Sequence, residues 1–141
     1  MPSKSACACA LMLTLLTTLP FSGCGKGEQF QSVSGSVTVD GQPLKKGIIT
    51  FYATGEGSTS GGEVIDGSYA LPADRGPSPG KYRVEITGSR PTGKTEFDID
   101  LKKNVDIEEQ FLPPKYHAKS ELTAEVVATG ENKFEFSLKS K

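Results

Sequence analysis

From Val33 onward the chain repeats one pattern, an apolar residue at every second position. Val33, Gly35, Val37 and Val39 fall on one side and Ser34, Ser36 and Thr38 on the other. That two-residue period is the mark of a strand with one face against a core. The same alternation sets Ile49, Phe51 and Ala53 against Ile48, Thr50 and Tyr52, and Tyr82, Val84 and Ile86 against Arg83, Glu85 and Thr87. It recurs in Phe97, Ile99 and Leu101 between Asp98, Asp100 and Lys102, continues through Val105 and Ile107, and returns in Leu122, Ala124 and Val126. Phe134, Phe136 and Leu138 form the last set, between Glu135, Ser137 and Lys139. In each set the apolar members are expected to point inward.

Turn signals separate these runs. Asp40-Gly41 suits a tight turn with positive φ, and Asp66-Gly67-Ser68 lies between Val64-Ile65 and Tyr69-Ala70-Leu71 as a second hairpin signal. Residues 54–63 are rich in Gly and Ser and read as an exposed loop, and Pro72 to Gly80 contains three prolines. No segment shows the 3.6-residue period of an amphipathic helix. One-sided burial requires a second layer, so the expected fold is all-β: an antiparallel β-sandwich of seven to nine short strands.

The N-terminus obeys a different rule. Lys4 precedes Ala6 to Leu19, fourteen residues without a charge. As a helix they would cover about 21 Å, short of a bilayer core of about 30 Å. A cation, a short apolar run and then small residues describe a secretory signal peptide. Leu19-Pro20-Phe21-Ser22-Gly23-Cys24 resembles a bacterial lipobox, with Phe21 where Leu is commoner. The resemblance implies that Cys24 takes a diacylglycerol on its thiol, that residues 1–23 are removed, and that the new amino group is acylated, with palmitate the implied acid. Cys7 and Cys9 lie in the discarded part, and residues 25–141 hold no cysteine. A lone free thiol would be a liability in an oxidising compartment; a thioether is not. Residues 24–32 then read as the lipidated N-terminus and a flexible tether reaching at most about 27 Å, and 33–141 as the folded body.

Composition narrows the functions. The chain has 141 residues, enough for one domain, with 16 basic and 17 acidic side chains. Removal of residues 1–23 takes Lys4 with it and leaves net −2. Nothing there displaces phosphate counterions, so nucleic acid is not an expected partner. Nor would such a body be drawn to anionic lipid. The two chains of a diacylglycerol would hold it alone, each buried CH₂ contributing about 0.8 kcal/mol.

Three segments carry a further resemblance: Val33 to Leu44, Asp66-Gly67-Ser68-Tyr69-Ala70-Leu71, and Pro79-Gly80-Lys81-Tyr82-Arg83-Val84. In this order they resemble the carboxypeptidase regulatory-like domain, a transthyretin (prealbumin)-like β-sandwich. The chain is also similar to small bacterial lipoproteins built as lipobox, tether and one such domain, whose Pro-x-Lys-Tyr segment is matched by Pro113-Pro114-Lys115-Tyr116. The family often has an Asp two residues before Asp-Gly; Val64 stands there, which takes a carboxylate from any cation site in that hairpin. The resemblance implies no catalytic activity, no cofactor, and a place in the bacterial cell envelope outside the cytoplasm. By analogy with other lipoproteins, Gly25 in place of Asp permits export to an outer membrane.

Candidate chemistry is sparse. His117 is the one histidine, and spacing fixes neither an orienting carboxylate nor a nucleophile for it. The purine-breakdown hydrolases of transthyretin type need several histidines and a C-terminal Tyr-Arg-Gly-Ser, and this chain ends Ser137-Leu138-Lys139-Ser140-Lys141. Asp98 and Asp100, with Asp106 and Glu108, could offer oxygens to Ca²⁺ but read as a solvated acidic face that keeps strand edges apart. Gly55, Gly57, Gly61 and Gly62 lack the Lys and helix of a phosphate loop. Tyr52 could stack on a sugar, though such sites usually gather several aromatics. The expected role is structural or interaction-mediating, toward an envelope protein or glycan. The alternative is a carbohydrate- or peptide-binding module, which clustered exposed aromatics would reveal.

Overall fold

A computed structural model describes residues 29–141. Cys24, the apolar run and most of the tether lie outside the described residues. The described chain is all-β, with nine strands: β1 (Val33–Val39), β2 (Gln42–Pro43), β3 (Lys46–Ala53), β4 (Ser60–Ile65), β5 (Ser68–Leu71), β6 (Gly80–Asp98), β7 (Lys103–Gln110), β8 (Leu122–Val126) and β9 (Asn132–Leu138). The Pro-Lys-Tyr segment forms a single 3₁₀ turn, Pro114–Tyr116.

The strands form two layers joined at their edges. β1 lies between β5 and β9, with β2 extending it, and β3 lies between β4 and β6, with β8 on β6. The β4–β5 hairpin links the layers through a single pair, Ile65 with Ser68. Both Asp-Gly turns form as the sequence implies, with φ of 51° and 80° at Asp40-Gly41 and 47° and 78° at Asp66-Gly67. Positive φ at both central residues matches the right-handed twist of the strands they join.

Between the layers sit Val33, Val37, Ile49, Phe51, Val64, Tyr69, Tyr82, Val84, Ile86, Val126 and Leu138, all buried, with Phe136 at the margin. Phe51 is central: the rings of Tyr69, Tyr82 and Phe134 each stand 6.3 Å from it, tilted or edge-on, the arrangements aromatic quadrupoles favour. Each buried tyrosine satisfies its hydroxyl locally. Tyr69 donates to the Phe134 carbonyl at 3.0 Å and Tyr82 to the Ser78 carbonyl at 2.8 Å. Gly35 lets this centre close, since a Cβ there would stand 1.8 Å from the Phe134 carbonyl oxygen and 2.8 Å from the Tyr69 hydroxyl.

The structure corrects three expectations. The sandwich is not purely antiparallel, because β9 runs parallel to β1 along its whole length. A parallel strand shows the same alternation as an antiparallel one, so the pattern could not distinguish them. Residues 54–63 are not all loop: β4 begins at Ser60, which is buried and donates to the Arg75 carbonyl. Most consequentially, Phe97, Ile99 and Leu101 do not point inward but are 58%, 80% and 60% exposed. Ile99 to Lys102 is a turn rather than strand, and Ile107 is exposed as well. These residues stand beyond the last pair between β6 and β3, where no second layer among the described residues covers them.

Candidate functional site

β6 is 19 residues long and has two parts. Its first part, Gly80 to Gly88, lies in the body against β3 and β8; its second, Ser89 to Asp98, pairs only with β7. The result is a two-stranded ribbon, each part of β6 covering about 30 Å. Val33 pairs with Leu71 and the Gln31 N–H donates to the Pro77 carbonyl, which puts the N-terminal chain at the end of the body where β6 begins. The ribbon leaves at the other end, where Gly47 pairs with Gly88. The chain at Gln29–Gln31 and the ribbon therefore lie at opposite ends of the body.

Specific contacts fix the root of the ribbon. Lys46 Nζ holds both oxygens of Glu108 at 2.7 and 2.9 Å, and Arg90 holds Glu109 at 2.8 Å while its guanidinium lies over Phe111. The Gln110 side chain accepts from the Gly88 N–H at 2.8 Å, and Leu112 is buried beneath. Midway, between Pro91 and Thr95, three residues of β6 stand against Ile107 alone, a bulge of two extra residues, and the Thr92 hydroxyl donates to the Ile107 carbonyl at 2.9 Å. At the tip, the Asp98 carboxylate accepts from the N–H groups of Asp100 and Leu101 at 2.9 and 2.8 Å. An Asp that hydrogen-bonds the backbone two and three residues ahead stabilises a turn. This turn presents Ile99 and Leu101 to solvent beside Phe97.

The acidic residues singled out from sequence are thus divided among separate tasks. Asp98 shapes the turn, Glu108 pairs with Lys46, and Asp106 stands opposite Thr95. Among the described residues no three His, Cys, Asp or Glu side chains gather as a metal-holding group. His117 is half-buried behind the 3₁₀ turn, its Nε2 at 3.2 Å from the Leu112 carbonyl, which makes that nitrogen the donor. The nearby Ser120 hydroxyl donates to the Val84 carbonyl. Tyr52 lies on the outer face of β3 with Arg83 over its ring at 5.2 Å. It is level with the first part of β6, fourteen residues of strand from Phe97, so Tyr52 and Phe97 form no common platform.

Sequence reasoning missed the ribbon because it took alternation as proof of burial. One signal was available: six carboxylates crowd Glu96 to Glu109. A second emerges only with the strands paired, where Phe97 faces Asn104 and Val105 faces Glu96.

No family model matches the chain, and no curated protein matches it. Among solved structures, a 9R-lipoxygenase from Cyanothece PCC8801 is similar over 79% of this chain at 13% identity, with a TM-score of 0.35. This chain spans 16% of the length of that protein.

Proposed function

We propose that this chain is a non-catalytic cell-envelope lipoprotein, anchored through Cys24, whose sandwich is of the carboxypeptidase regulatory-like type and whose ribbon is its interaction surface. The observation that carries the reading is the ribbon itself, which spends bulky apolar residues at its tip where they add nothing to the core. Soluble proteins rarely expose such groups together without a partner. The anchor rests on the Lys4, Ala6–Leu19 and Ser22-Gly23-Cys24 pattern. The opposite placement of the N-terminal chain and the ribbon suits it, since the tip is kept clear of the anchored end. The engagement of His117 with the Leu112 carbonyl, and of Ser120 with Val84, favours binding over hydrolysis.

Two experiments test this reading. Pull-down from envelope extracts with the full chain should retain a partner, and the triple variant Phe97→Ser, Ile99→Ser, Leu101→Ser should lose it without unfolding. Equal capture by both would remove the ribbon from the function. Cys24→Ala should accumulate as an unprocessed precursor; cleavage at residue 24 as in the wild type would refute the lipid anchor.

A further inference from the structure

We infer that the outer edge of β7 pairs with the same edge of a second copy of this chain, in an antiparallel arrangement centred on Val105. The inference rests on the ribbon being an interaction surface, and it adds a second copy of the chain as a partner at its edge.

β7 is bonded on one side only. The Phe111 N–H donates to the Gly88 carbonyl and the Ile107 carbonyl accepts from Thr92, so odd-numbered residues turn their backbone toward β6. The N–H and C=O groups of Asn104, Asp106 and Glu108 therefore face outward, and among the described residues no strand pairs with them. An isolated two-stranded ribbon is only marginally stable in water, and such an edge is a template for another strand. A second β7 would convert two strands into four.

The charge order along β7 selects a copy in one orientation. Lys103 stands at its start, just after Lys102 in the turn, and Glu108 and Glu109 stand near its end. Parallel pairing in register would set lysine on lysine and glutamate on glutamate, which is destabilising. Antiparallel pairing about Val105 sets Asn104 opposite the partner's Asp106 and brings the lysine end of each strand to the glutamate end of the other. Lys103 lies over the partner's Ile107, with its ammonium diagonal to Glu109. Val105 meets its own copy as a non-hydrogen-bonded pair, with Cα atoms about 4.5 Å apart, and the outward groups of Asn104 and Asp106 bond on either side of it. Lys46 and Arg90 already hold Glu108 and Glu109 in place. Those carboxylates remain exposed and can accept a further cation. Because each ribbon leaves its body at the end opposite Gln29, the two Gln29 residues lie at opposite ends of the dimer, and two anchored copies would pair with their bodies lying along the membrane.

The test uses the full chain in the membranes of cells that produce it. Val105→Cys brings two thiols within disulfide reach, whereas Gln110→Cys puts them about 33 Å apart, ten residues along the strand. Oxidation should give Val105→Cys an adduct of twice the chain mass, at least about ten-fold above Gln110→Cys and the unsubstituted chain. Adding Lys103→Glu, which puts a carboxylate diagonal to the partner's Glu109, should cut that yield several-fold. The pairing is refuted by no adduct, by an adduct of another mass, or by an undiminished yield with Lys103→Glu. Should the adduct be missing while the triple serine variant still loses envelope capture, the second copy is refuted and the ribbon remains the interaction surface.

Discussion

The body and the ribbon of this protein are written in the same sequence code and come to opposite ends. Tyr82, Val84 and Ile86 alternate with polar residues and are buried; Phe97 alternates with Glu96 and Asp98 on the same strand and is exposed. What separates them is the neighbour and not the strand. β3 and β8 flank the first part of β6 and the other layer covers it, whereas the second part has only β7. Alternation reports that a strand has two faces; burial needs a layer to meet one of them.

Substitutions in the body should therefore be costly, and equivalent ones in the ribbon nearly silent. Phe51→Ala should lose about 3–5 kcal/mol in denaturant unfolding, as large-to-small changes in packed cores do. Phe136→Ala should fall toward the lower end of that range, because Phe136 lies at the edge of the core. A loss below about 1 kcal/mol at Phe51 would mean that the two layers do not close on it. Gly35→Ala should be comparably damaging, since its new methyl would overlap the Phe134 carbonyl on the backbone of β9. Were it tolerated, the parallel β1–β9 pairing would be in doubt.

A smaller effect separates the polar part of the core from its packing. Burial pushes the Tyr69 hydroxyl well above the usual tyrosine range. A group whose pKa is raised on folding contributes stability that is complete below its unfolded value near 10 and is lost as pH rises toward the folded one. Wild-type stability should thus decline above about pH 10. Tyr69→Phe should cost about 1 kcal/mol at neutral pH, for the bond to Phe134, and show a shallower alkaline decline. Identical slopes would remove Tyr69 as a cause. The smallest effect belongs to the ribbon: Phe97→Ala should change unfolding free energy by less than about 0.5 kcal/mol. A core-sized loss there would erase the distinction between the two regions.

Much of the body could be read before the structure was known. Both Asp-Gly turns, the inward sets on β1, β3, β8 and β9, and the tyrosines at 69 and 82 follow from side-chain period and turn chemistry alone. The parallel placement of β9 could not be read, because it depends on which edge a distant strand reaches. Leu112 was missed as well; it stands outside any alternating run and is buried because the chain from Gln110 to Ser120 folds across the end of the core. The ribbon was present in the sequence as strands but not as a ribbon. Its signature, apolar residues opposite polar ones, exists only once β6 and β7 are paired.

Removal of the ribbon tests the division most directly. Arg90 and Glu109 are cross-strand partners, so residues 91–108 can be replaced by Asn-Gly, a two-residue hairpin turn. The shortened chain should keep its thermal midpoint to within about 4 °C, the shift that corresponds to about 1 kcal/mol in a domain of this size, and should lose both envelope capture and pairing with its own copy. A collapse of the midpoint would show that the ribbon belongs to the core, and undiminished capture would show that the binding surface lies elsewhere on the sandwich.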